Sequence, residues 1–215
     1  MAGGRLDGRV ERGNQTRRLV LARTVDIASL EGLESLSLGR LAGELNLSKS
    51  GVFALFGSKE ELQLATVRAA RERYVERVVR PAVEVPAGIG RVWRLCQSWL
   101  AYSRERVFPG GCFFASVSAE YDSRPGPVRD ALAEARRDWV AYVERVLAEA
   151  RELGELGRGT DVPQLAFEVV AVLEAANAES VLREEHDAYR RAATAIRSRL
   201  HAAATDPELV AALPD

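Results

Sequence analysis

The sequence is poor in the residues that most often carry enzyme chemistry. Only two histidines, His186 and His201, and two cysteines, Cys96 and Cys112, occur among its 215 residues. Neither histidine is surrounded by cysteines or carboxylates at the spacing of metal ligands, so we expect no metal site and no cofactor. The cysteines are too few for a disulfide framework, and free thiols are typical of a reducing cytoplasm.

Long apolar runs are missing too. No stretch of about 18 apolar residues occurs, and the start of the chain lacks the apolar core of a signal peptide. We therefore expect a cytoplasmic protein with no membrane partner. Phosphate-binding loops, nucleophile elbows and paired catalytic carboxylates are also absent, and we interpret Glu120 and Asp122 as solvated surface charge. A protein without enzyme activity is expected, with a helical enzyme as the less favoured alternative.

Lysine is as scarce as histidine. Lysine and arginine together number 30, but Lys49 and Lys59 are the only lysines. Both fall within residues 37–62. The formal net charge of −1 does not by itself indicate a nucleic-acid-binding protein, so the functional information lies in the pattern of this segment.

Residues 37–62 have the pattern of two short helices joined by a tight turn and followed by a third helix. The first helix has apolar residues at helical spacing, namely Leu38, Leu41, Ala42 and Leu45. Ser37 is placed to cap its start. Asn46 tolerates the left-handed conformation at a helix end, and Ser48 can cap the second helix. Ser58 and Glu61 have capping-box spacing and open the third helix.

The second of these helices has two different faces. Its inner face is apolar and consists of Val52, Leu55 and Phe56. Its outward face is cationic, hydroxylated and aromatic, and consists of Lys49, Ser50 and Phe53. Such a face is typical of a recognition helix that contacts the major groove of DNA and its phosphates. Gly51 offers no side chain that would block the approach of the backbone to DNA.

Residues 14–73 resemble the DNA-binding domain of the TetR family of bacterial transcriptional regulators. The family pattern L-A-x-x-L-x-V-S-x-x-x-x-Y-x-x-F-x-S-K-E-x-L is met by Leu41, Ala42, Leu45, Leu47, Ser48, Phe53, Phe56, Ser58, Lys59, Glu60 and Leu62. A supporting first helix has an inner stripe of Val20, Leu21, Thr24, Ile27 and Ala28 before Gly32. The resemblance implies that DNA is bound by Thr16, Arg17, Ser37, Ser48, Lys49, Ser50, Gly51, Phe53 and Lys59.

The segment also departs from the family pattern. Asn46 replaces the usual turn glycine, and Phe53 replaces a tyrosine, so a hydroxyl contact to phosphate is lost while the ring can still contact sugar or a thymine methyl group. Leu55 stands where histidine or tyrosine is frequent, and Thr24 and Ala28 replace a typical alanine and phenylalanine. The operator sequence therefore cannot be taken over from relatives.

The whole chain is predicted to be all-α, because strand patterns and internal repeats are absent. We predict a mobile N-terminal tail over residues 1–13, a three-helix helix-turn-helix domain over residues 14–62 and a connector helix over about residues 59–79. A larger helical regulatory and dimerisation domain follows over residues 80–205. Residues 206–215 are predicted to be a C-terminal tail.

The larger domain contains most of the aromatic residues. Residues 110–132 resemble the C-terminal domain of one TetR-type subgroup, and in that family this domain binds a small molecule and forms the dimer. A pocket lined by aromatic residues suits a mainly apolar or amphipathic effector, with an ordinary hydrophobic core as the alternative. The candidate ligand-binding residues are Trp93, Cys96, Trp99, Tyr102, Phe113, Phe114, Trp139 and Asn177.

The last two predicted helices, residues 163–183 and 187–203, have the composition of an interface. The first is apolar around most of its circumference, so one neighbouring helix cannot cover it. We expect both to form half of an intermolecular four-helix bundle, with a purely intramolecular core as the alternative. The candidate interface residues are Leu165, Val169, Val172, Ala176, Tyr189, Ala193, Ile196 and Leu200.

Together these features predict a homodimeric regulator that binds double-stranded operator DNA and acts as a repressor. Its two recognition helices would enter successive major grooves about 34 Å apart, so the operator is expected to be an inverted repeat. A small-molecule effector would release the DNA by favouring a conformation in which the two helix-turn-helix domains of the dimer are misplaced for DNA binding. The connector helix would transmit this change from the regulatory domain. The alternatives are an activator, control by a protein partner, and a helical interaction module that has lost DNA binding.

Overall fold

The computed structural model describes residues 3–214, with side chains described at residue 11 and from residue 13 onward. Within that range the regular elements are helices, apart from an isolated β-bridge between Leu156 and Ala204, and the all-α prediction is confirmed. None of the helices in this range is long and apolar enough to cross a membrane. The helices are α1 (Gly3–Glu31), α2 (Leu38–Glu44), α3 (Lys49–Phe56), α4 (Lys59–Tyr74), α5 (Arg80–Val83), α6 (Ile89–Arg104), α7 (Phe113–Tyr121), α8 (Pro127–Glu152), α9 (Val162–Leu182), α10 (Asp187–Ala203) and α11 (Glu208–Ala211).

Helix α1 includes most of the segment predicted to be a mobile tail. Its backbone is helical from Gly3, so the prediction is corrected for residues 3–13, and residues 1 and 2 lie outside the described part of the chain. Although four of these eleven residues are glycines, the segment contains no proline, and its arginines, leucine and glutamate favour helix. A helix that has already formed extends by one hydrogen bond for each residue that it orders.

The chain forms two compact units. Over the described residues, unit 1 comprises residues 3–72 and 108–132, and unit 2 comprises residues 73–107 and 133–214. This division corrects the predicted one, because residues 108–132 pack with the helix-turn-helix and not within a single domain of residues 80–205. The reason is a tertiary contact that glycine permits. The Gly110 N–H donates to Ser29 Oγ at 3.2 Å, and a Cβ at Gly110 would lie 1.8 Å from the Ser29 carbonyl oxygen.

In unit 1, α1 presents its predicted inner stripe to the core. Val20, Thr24, Ile27 and Ala28 are buried, and Leu21 is half-buried. The departure at Thr24 has a structural partner, because its hydroxyl is hydrogen-bonded to the buried hydroxyl of Thr66 on α4 at 2.9 Å. This bond satisfies two buried polar groups and fixes α1 against α4.

The predicted connector helix is present but is not a uniform α-helix. After α4 ends at Tyr74, Val75–Val79 form a π-helical turn, in which the Arg80 N–H bonds to the Val75 carbonyl, and α5 follows. Pro81 accounts for the irregularity, because it lacks an N–H and its ring crowds the carbonyl four residues earlier. A wider turn before the proline relieves that clash.

Unit 2 has a core formed by α6, α9 and α10, with a polar cluster inside it. Ser103, Asn177, Ser180 and Tyr189 are all buried. Ser103 Oγ donates to Asn177 Oδ1 at 2.9 Å, and the Arg106 guanidinium donates to the Ser180 carbonyl at 2.8 Å and to the Tyr189 hydroxyl at 3.0 Å. Because these buried polar groups are satisfied, the cluster fixes the register of the three helices.

The C-terminal segment is packed against unit 2 and is not a loose tail. Val210 in α11 is buried. The Trp93 indole N–H donates to the Pro214 carbonyl at 2.7 Å. Arg197 lies over the Trp93 ring and donates to the carbonyls of Val210, Leu213 and Pro214. Residues 206–214 are thus tied to α6 and α10 by contacts that no local sequence pattern reveals.

Candidate nucleic-acid interface

The turn between α2 and α3 has the conformation that the sequence predicted. Asn46 has a φ of 53°, in the left-handed region, which confirms the role expected for this departure from glycine. The Leu47 N–H returns to the Ala42 carbonyl at 2.8 Å and closes the turn. The two helices are therefore held together by backbone hydrogen bonds as well as by side chains.

Serine side chains cap both short helices. Ser37 Oγ accepts the Arg40 N–H at 3.1 Å, and Ser48 Oγ accepts the Gly51 N–H at 3.0 Å. A Cβ at Gly51 would lie 2.9 Å from Ser48 Oγ, so glycine at this position leaves room for the cap. Ser58 Oγ likewise accepts the Glu61 N–H at 3.1 Å at the start of α4. Each cap satisfies a backbone donor that a helix start leaves unpaired.

Helix α3 separates its two faces as predicted. Val52 and Phe56 are buried against the rest of unit 1, and Leu55 is half-buried. On the opposite face Lys49 and Ser50 are exposed, and 57% of Phe53 is exposed. An exposed phenylalanine side chain is unfavourable in the free protein. Its presence here suits a helix whose outer face is covered by a partner.

Arg17, which the resemblance placed on DNA, has partners within unit 1. Its guanidinium Nη1 donates to the Leu55 carbonyl at 2.6 Å and lies 4.6 Å from the centre of the Phe56 ring. Arg17 therefore fixes the end of α3 through a hydrogen bond and a cation–π contact. Thr16, its neighbour, is half-buried.

Lys59, at the start of α4, is held by Glu34. Lys59 Nζ donates to the Glu34 carbonyl oxygen at 2.7 Å and to Glu34 Oε2 at 2.8 Å. Its ammonium is therefore paired with a carboxylate of the same unit. Nothing in the sequence pattern had marked Glu34, which precedes Lys59 by 25 residues.

Tyr121 and Gln63 hold the other side of the Glu34 carboxylate. The Tyr121 hydroxyl donates to Glu34 Oε1 at 2.7 Å, and the buried Gln63 amide donates to the Tyr121 oxygen at 2.9 Å. Hydrogen bonds from Lys59 and then from Tyr121 lower the pKa of Glu34 to about 2. Burial, followed by the hydrogen bond to Glu34, raises the pKa of Tyr121. Glu34 is thus an ionised carboxylate at physiological pH.

The prediction that the Glu120 carboxylate is solvated surface charge is wrong. Its oxygens accept the backbone N–H groups of Leu33, at 2.7 Å, and of Glu34, at 2.9 Å. A Cβ at Gly32, which has a φ of 84°, would lie 2.7 Å from Glu120 Oε2. The carboxylate therefore occupies a backbone nest at the end of α1, and α7 is fastened to the helix-turn-helix by charge-assisted hydrogen bonds. Asp122, in contrast, is exposed.

The candidate ligand-binding residues belong to both units. Phe113 and Phe114 belong to unit 1, where Phe113 also packs against Phe108. The others belong to unit 2: Trp93, Cys96, Trp99, Tyr102, Trp139 and Asn177. Within unit 2, Tyr102 and Trp139 both contact Tyr74 edge to face, with ring centres 5.3 and 5.4 Å away. Tyr74 is a member of this cluster that the sequence interpretation omitted.

Two members of the unit 2 group have other roles. Trp93 is engaged by the C-terminal segment, and Asn177 belongs to the polar cluster. Trp99 lies beside Tyr102, with ring centres 6.1 Å apart. Burial raises the pKa of the Cys96 thiol to about 12. Trp99, Tyr102 and Trp139 of the predicted ligand-binding set thus form one aromatic cluster in unit 2 together with Tyr74.

Most candidate interface residues are internal to unit 2, which corrects the predicted face. The buried ones are Leu165, Val169, Ala176, Tyr189, Ile196 and Leu200, and the half-buried ones are Val172 and Ala193. The opposite face of α9 is exposed and forms the outer stripe, which we define as Phe167, Ala171, Ala175, Ala178 and Leu182. Of these, Phe167 is 66% exposed and Leu182 is 86% exposed. Helix α9 therefore has two apolar faces. Its inner face packs in unit 2, and its outer stripe is exposed.

A groove of about 660 Å³ lies between α9 and α10 in unit 2. Small residues line it, including Ala175, Ala188, Ala192 and Ala195. Charged residues also line it, including Glu179, Arg183 and Arg191. The groove adjoins the outer stripe, with which it shares Ala175.

The helix-turn-helix with an exposed aromatic and cationic recognition helix, together with a second helical unit, defines the class of helical transcription regulators. Residues 88–196, just over half of the chain, match the family model for the tetracyclin repressor-like C-terminal domain. The chain belongs to the TetR family of transcriptional regulators. A comparison with curated proteins found no match to the chain.

Solved structures of family members share the fold at low sequence identity. A TetR transcriptional regulator from Chloroflexus aurantiacus is 20% identical with a TM-score of 0.84, and 90% of this chain and 98% of that chain are covered. A TetR-family regulator from Cytophaga hutchinsonii is 18% identical with a TM-score of 0.80, covering 91% and 98%. One from Streptomyces coelicolor is 22% identical with a TM-score of 0.77, covering 89% and 96%.

Proposed function

We propose that the protein is a homodimeric repressor that binds an inverted-repeat DNA operator through α3 and is released by a small-molecule effector. The observation that carries the proposal is the exposed face of α3, with Lys49, Ser50 and Phe53 beside the capping hydroxyl of Ser48. A lysine and hydroxyl groups bind phosphates and base edges, and an aromatic ring contacts sugar or a thymine methyl group.

Three other DNA-binding candidates have different roles in this proposal. Ser37 is exposed and presents its hydroxyl at the start of α2, where it can donate to a phosphate while its oxygen accepts the Arg40 N–H. Gly51 keeps the start of α3 free of side-chain bulk. Arg17 acts by positioning α3 through Leu55 and Phe56.

The homodimer is proposed to form through the outer stripe of α9. An exposed row of Phe167, three alanines and Leu182 is an apolar face that a second copy would cover. Alanine permits close approach of two helices, and the same face on both copies makes a twofold contact. Two α3 helices related by that axis would read two half-sites of an inverted repeat.

The effector is proposed to be mainly apolar or amphipathic and to bind in unit 2. The aromatic cluster of Tyr74, Trp99, Tyr102 and Trp139 supports this class, because edge-to-face rings provide an apolar surface with a few polar groups. An effector that binds more tightly to a conformation with low DNA affinity increases the population of that conformation. The DNA affinity then falls by as much as the effector prefers that conformation.

The test is a titration of the purified protein against the DNA upstream of its own gene, with fluorescence anisotropy at several salt concentrations. Specific binding to an inverted repeat is expected, with affinity falling steeply as salt rises. Lys49→Ala should reduce the salt slope by about 0.9, the value for one lost phosphate contact.

Arg158→Ala is the matched control, because it removes one exposed positive charge from unit 2. It should leave both the affinity and the salt slope unchanged. Absence of specific binding at low salt, with that DNA and with a random pool, would overturn the proposal.

A further inference from the structure

The pairing of Lys59 with Glu34 bears on how strongly the protein holds DNA. Lys59 stands at the start of α4, and two of its three ammonium N–H groups donate to the carbonyl and carboxylate of Glu34. The side chain of Lys59 is 44% exposed and that of Glu34 is 47% exposed, so a phosphate approaching the lysine also approaches the carboxylate. The pair presents no net charge to the DNA.

We propose that Glu34 competes with a DNA phosphate for Lys59, and that Tyr121 is the positioning residue that keeps the Glu34 carboxylate in this competing position. The proposal rests on the proposed function of DNA binding and concerns the strength of one phosphate contact. In this proposal Glu34, an acidic residue outside the helix-turn-helix pattern, lowers operator affinity.

The geometry restricts the Glu34 carboxylate from several sides. Oε2 accepts from Lys59, Oε1 accepts from the Tyr121 hydroxyl at 2.7 Å, and the Glu34 backbone N–H is bound by the Glu120 carboxylate at 2.9 Å. Gln63 donates to the Leu33 carbonyl at 3.0 Å and so fixes the neighbouring peptide. An exposed carboxylate without such partners would rotate away as DNA approached, whereas this one is held beside Lys59.

Helix α7 therefore controls the availability of Lys59. Both Glu120 and Tyr121 are the last residues of α7, and both bonds end on Glu34. With α7 in place, the carboxylate stays on the lysine. Loss of the Tyr121 hydrogen bond leaves Glu34 Oε1 with only the longer bond from Gln63, at 3.4 Å, so the carboxylate turns into solvent more readily and leaves the ammonium for a phosphate. Because the Lys59 bond to the Glu34 carbonyl does not depend on the carboxylate, the lysine remains positioned when the charge is removed.

The experiment is a double-mutant cycle on operator DNA selected with the wild-type protein. Glu34→Gln should raise operator affinity about fivefold, the effect of making one lysine–phosphate ion pair at about 4 Å available in water. It should also steepen the salt slope by about 0.9. Lys59→Ala should change affinity less than about twofold in the wild type but abolish the whole gain in the Glu34→Gln background.

Two further variants separate this mechanism from general charge and from folding effects. Glu60→Gln makes the same charge change at an exposed neighbour of Lys59 and should raise affinity by less than half as much. Tyr121→Phe keeps every charge and should raise affinity about twofold, with no effect in the Glu34→Gln background. Hydrogen exchange of α3 and α4 in each variant shows whether the DNA-binding helices remain folded.

The possible results distinguish the inference from the proposed function. If the wild type shows no specific operator binding, the proposed function fails. If the wild type binds but Glu34→Gln and Glu60→Gln give equal gains, or if the cycle with Lys59→Ala is additive, the inference is wrong and the proposed function stands. A loss of affinity in Glu34→Gln with α3 and α4 still protected would equally overturn it.

Discussion

Replacing Gly110 by alanine should detach residues 108–132 from α1. A Cβ at this position would lie 1.8 Å from the Ser29 carbonyl oxygen and 2.5 Å from its carbonyl carbon. These are backbone atoms in the last turn of α1, so no side-chain rotation relieves the overlap. The backbone at Gly110 has to move away from α1.

The cost follows from the contacts that are lost. Overpacking against a fixed neighbour costs about 1–3 kcal/mol. The displaced backbone also loses the Gly110 N–H bond to Ser29 Oγ and strains the Ser116 Oγ bond to the Ser29 carbonyl, both at 3.2 Å. Each such bond contributes about 1 kcal/mol. We expect the free energy of unfolding to fall by about 2–4 kcal/mol in total.

Gly43→Ala is the matched control, because a Cβ there would meet no atom within 4 Å outside its own helix. Alanine in a helix is favoured over glycine by about 1 kcal/mol, so this variant should be as stable as the wild type or more stable. Urea unfolding followed by circular dichroism measures the free energy of unfolding of both variants. Hydrogen exchange should report faster opening of residues 25–35 and 108–121 in Gly110→Ala alone. Equal stability and equal exchange in the two variants would refute the close approach of Gly110 to α1.

Two further predictions concern unit 2. Phe167→Glu places a charge in the outer stripe and should convert a dimer to a monomer in sedimentation equilibrium. Leu153→Glu, at a residue that is 58% exposed in the turn directly after α8 and outside the stripe, should leave the dimer intact. Dissociation by both variants or by neither would contradict the proposed interface. The Cys96 thiol, with its pKa raised from 9.0 to about 12 by burial, should react with a thiol reagent at pH 8 only after unfolding, and a Cys112→Ser background isolates its signal. Since the folded state keeps this proton above pH 9 and the unfolded state loses it, the thiol should also make stability decline as pH rises from about 9 to 12.

Local patterns were sufficient for the helix-turn-helix. The caps at Ser37 and Ser48, the left-handed Asn46 and the two faces of α3 all appear in the structure as the spacing predicted. These features depend on residues within a few positions of one another, where hydrogen-bond geometry and helical periodicity decide the outcome. The same holds for the all-α class, because strand periodicity is absent throughout.

The face of α9 could not be predicted in the same way. A helix that is apolar all round gives no periodic signal for which side is covered by its own chain. The sequence interpretation selected Leu165, Val169 and Ala176, which pack inside unit 2, and passed over Phe167 and Leu182, which are exposed. Similarly, Arg17 matched a DNA-binding position, but its partners Leu55 and Phe56 lie 38 and 39 residues away in the chain.

The sequence alone determined an all-helical chain with a helix-turn-helix, because short-range spacing encodes helix faces, caps and turns, and its resemblance to the TetR family predicted a DNA-binding regulator. Tertiary packing assigned residues 108–132 to the same unit as the helix-turn-helix, through glycine at position 110 and the Glu120 carboxylate on the backbone of Leu33 and Glu34. It also paired Lys59 with Glu34 and Tyr121. These contacts join residues 25 to 87 positions apart, and no local periodicity carries information over such separations. Only the folded chain brings the carboxylate, the phenol and the lysine together.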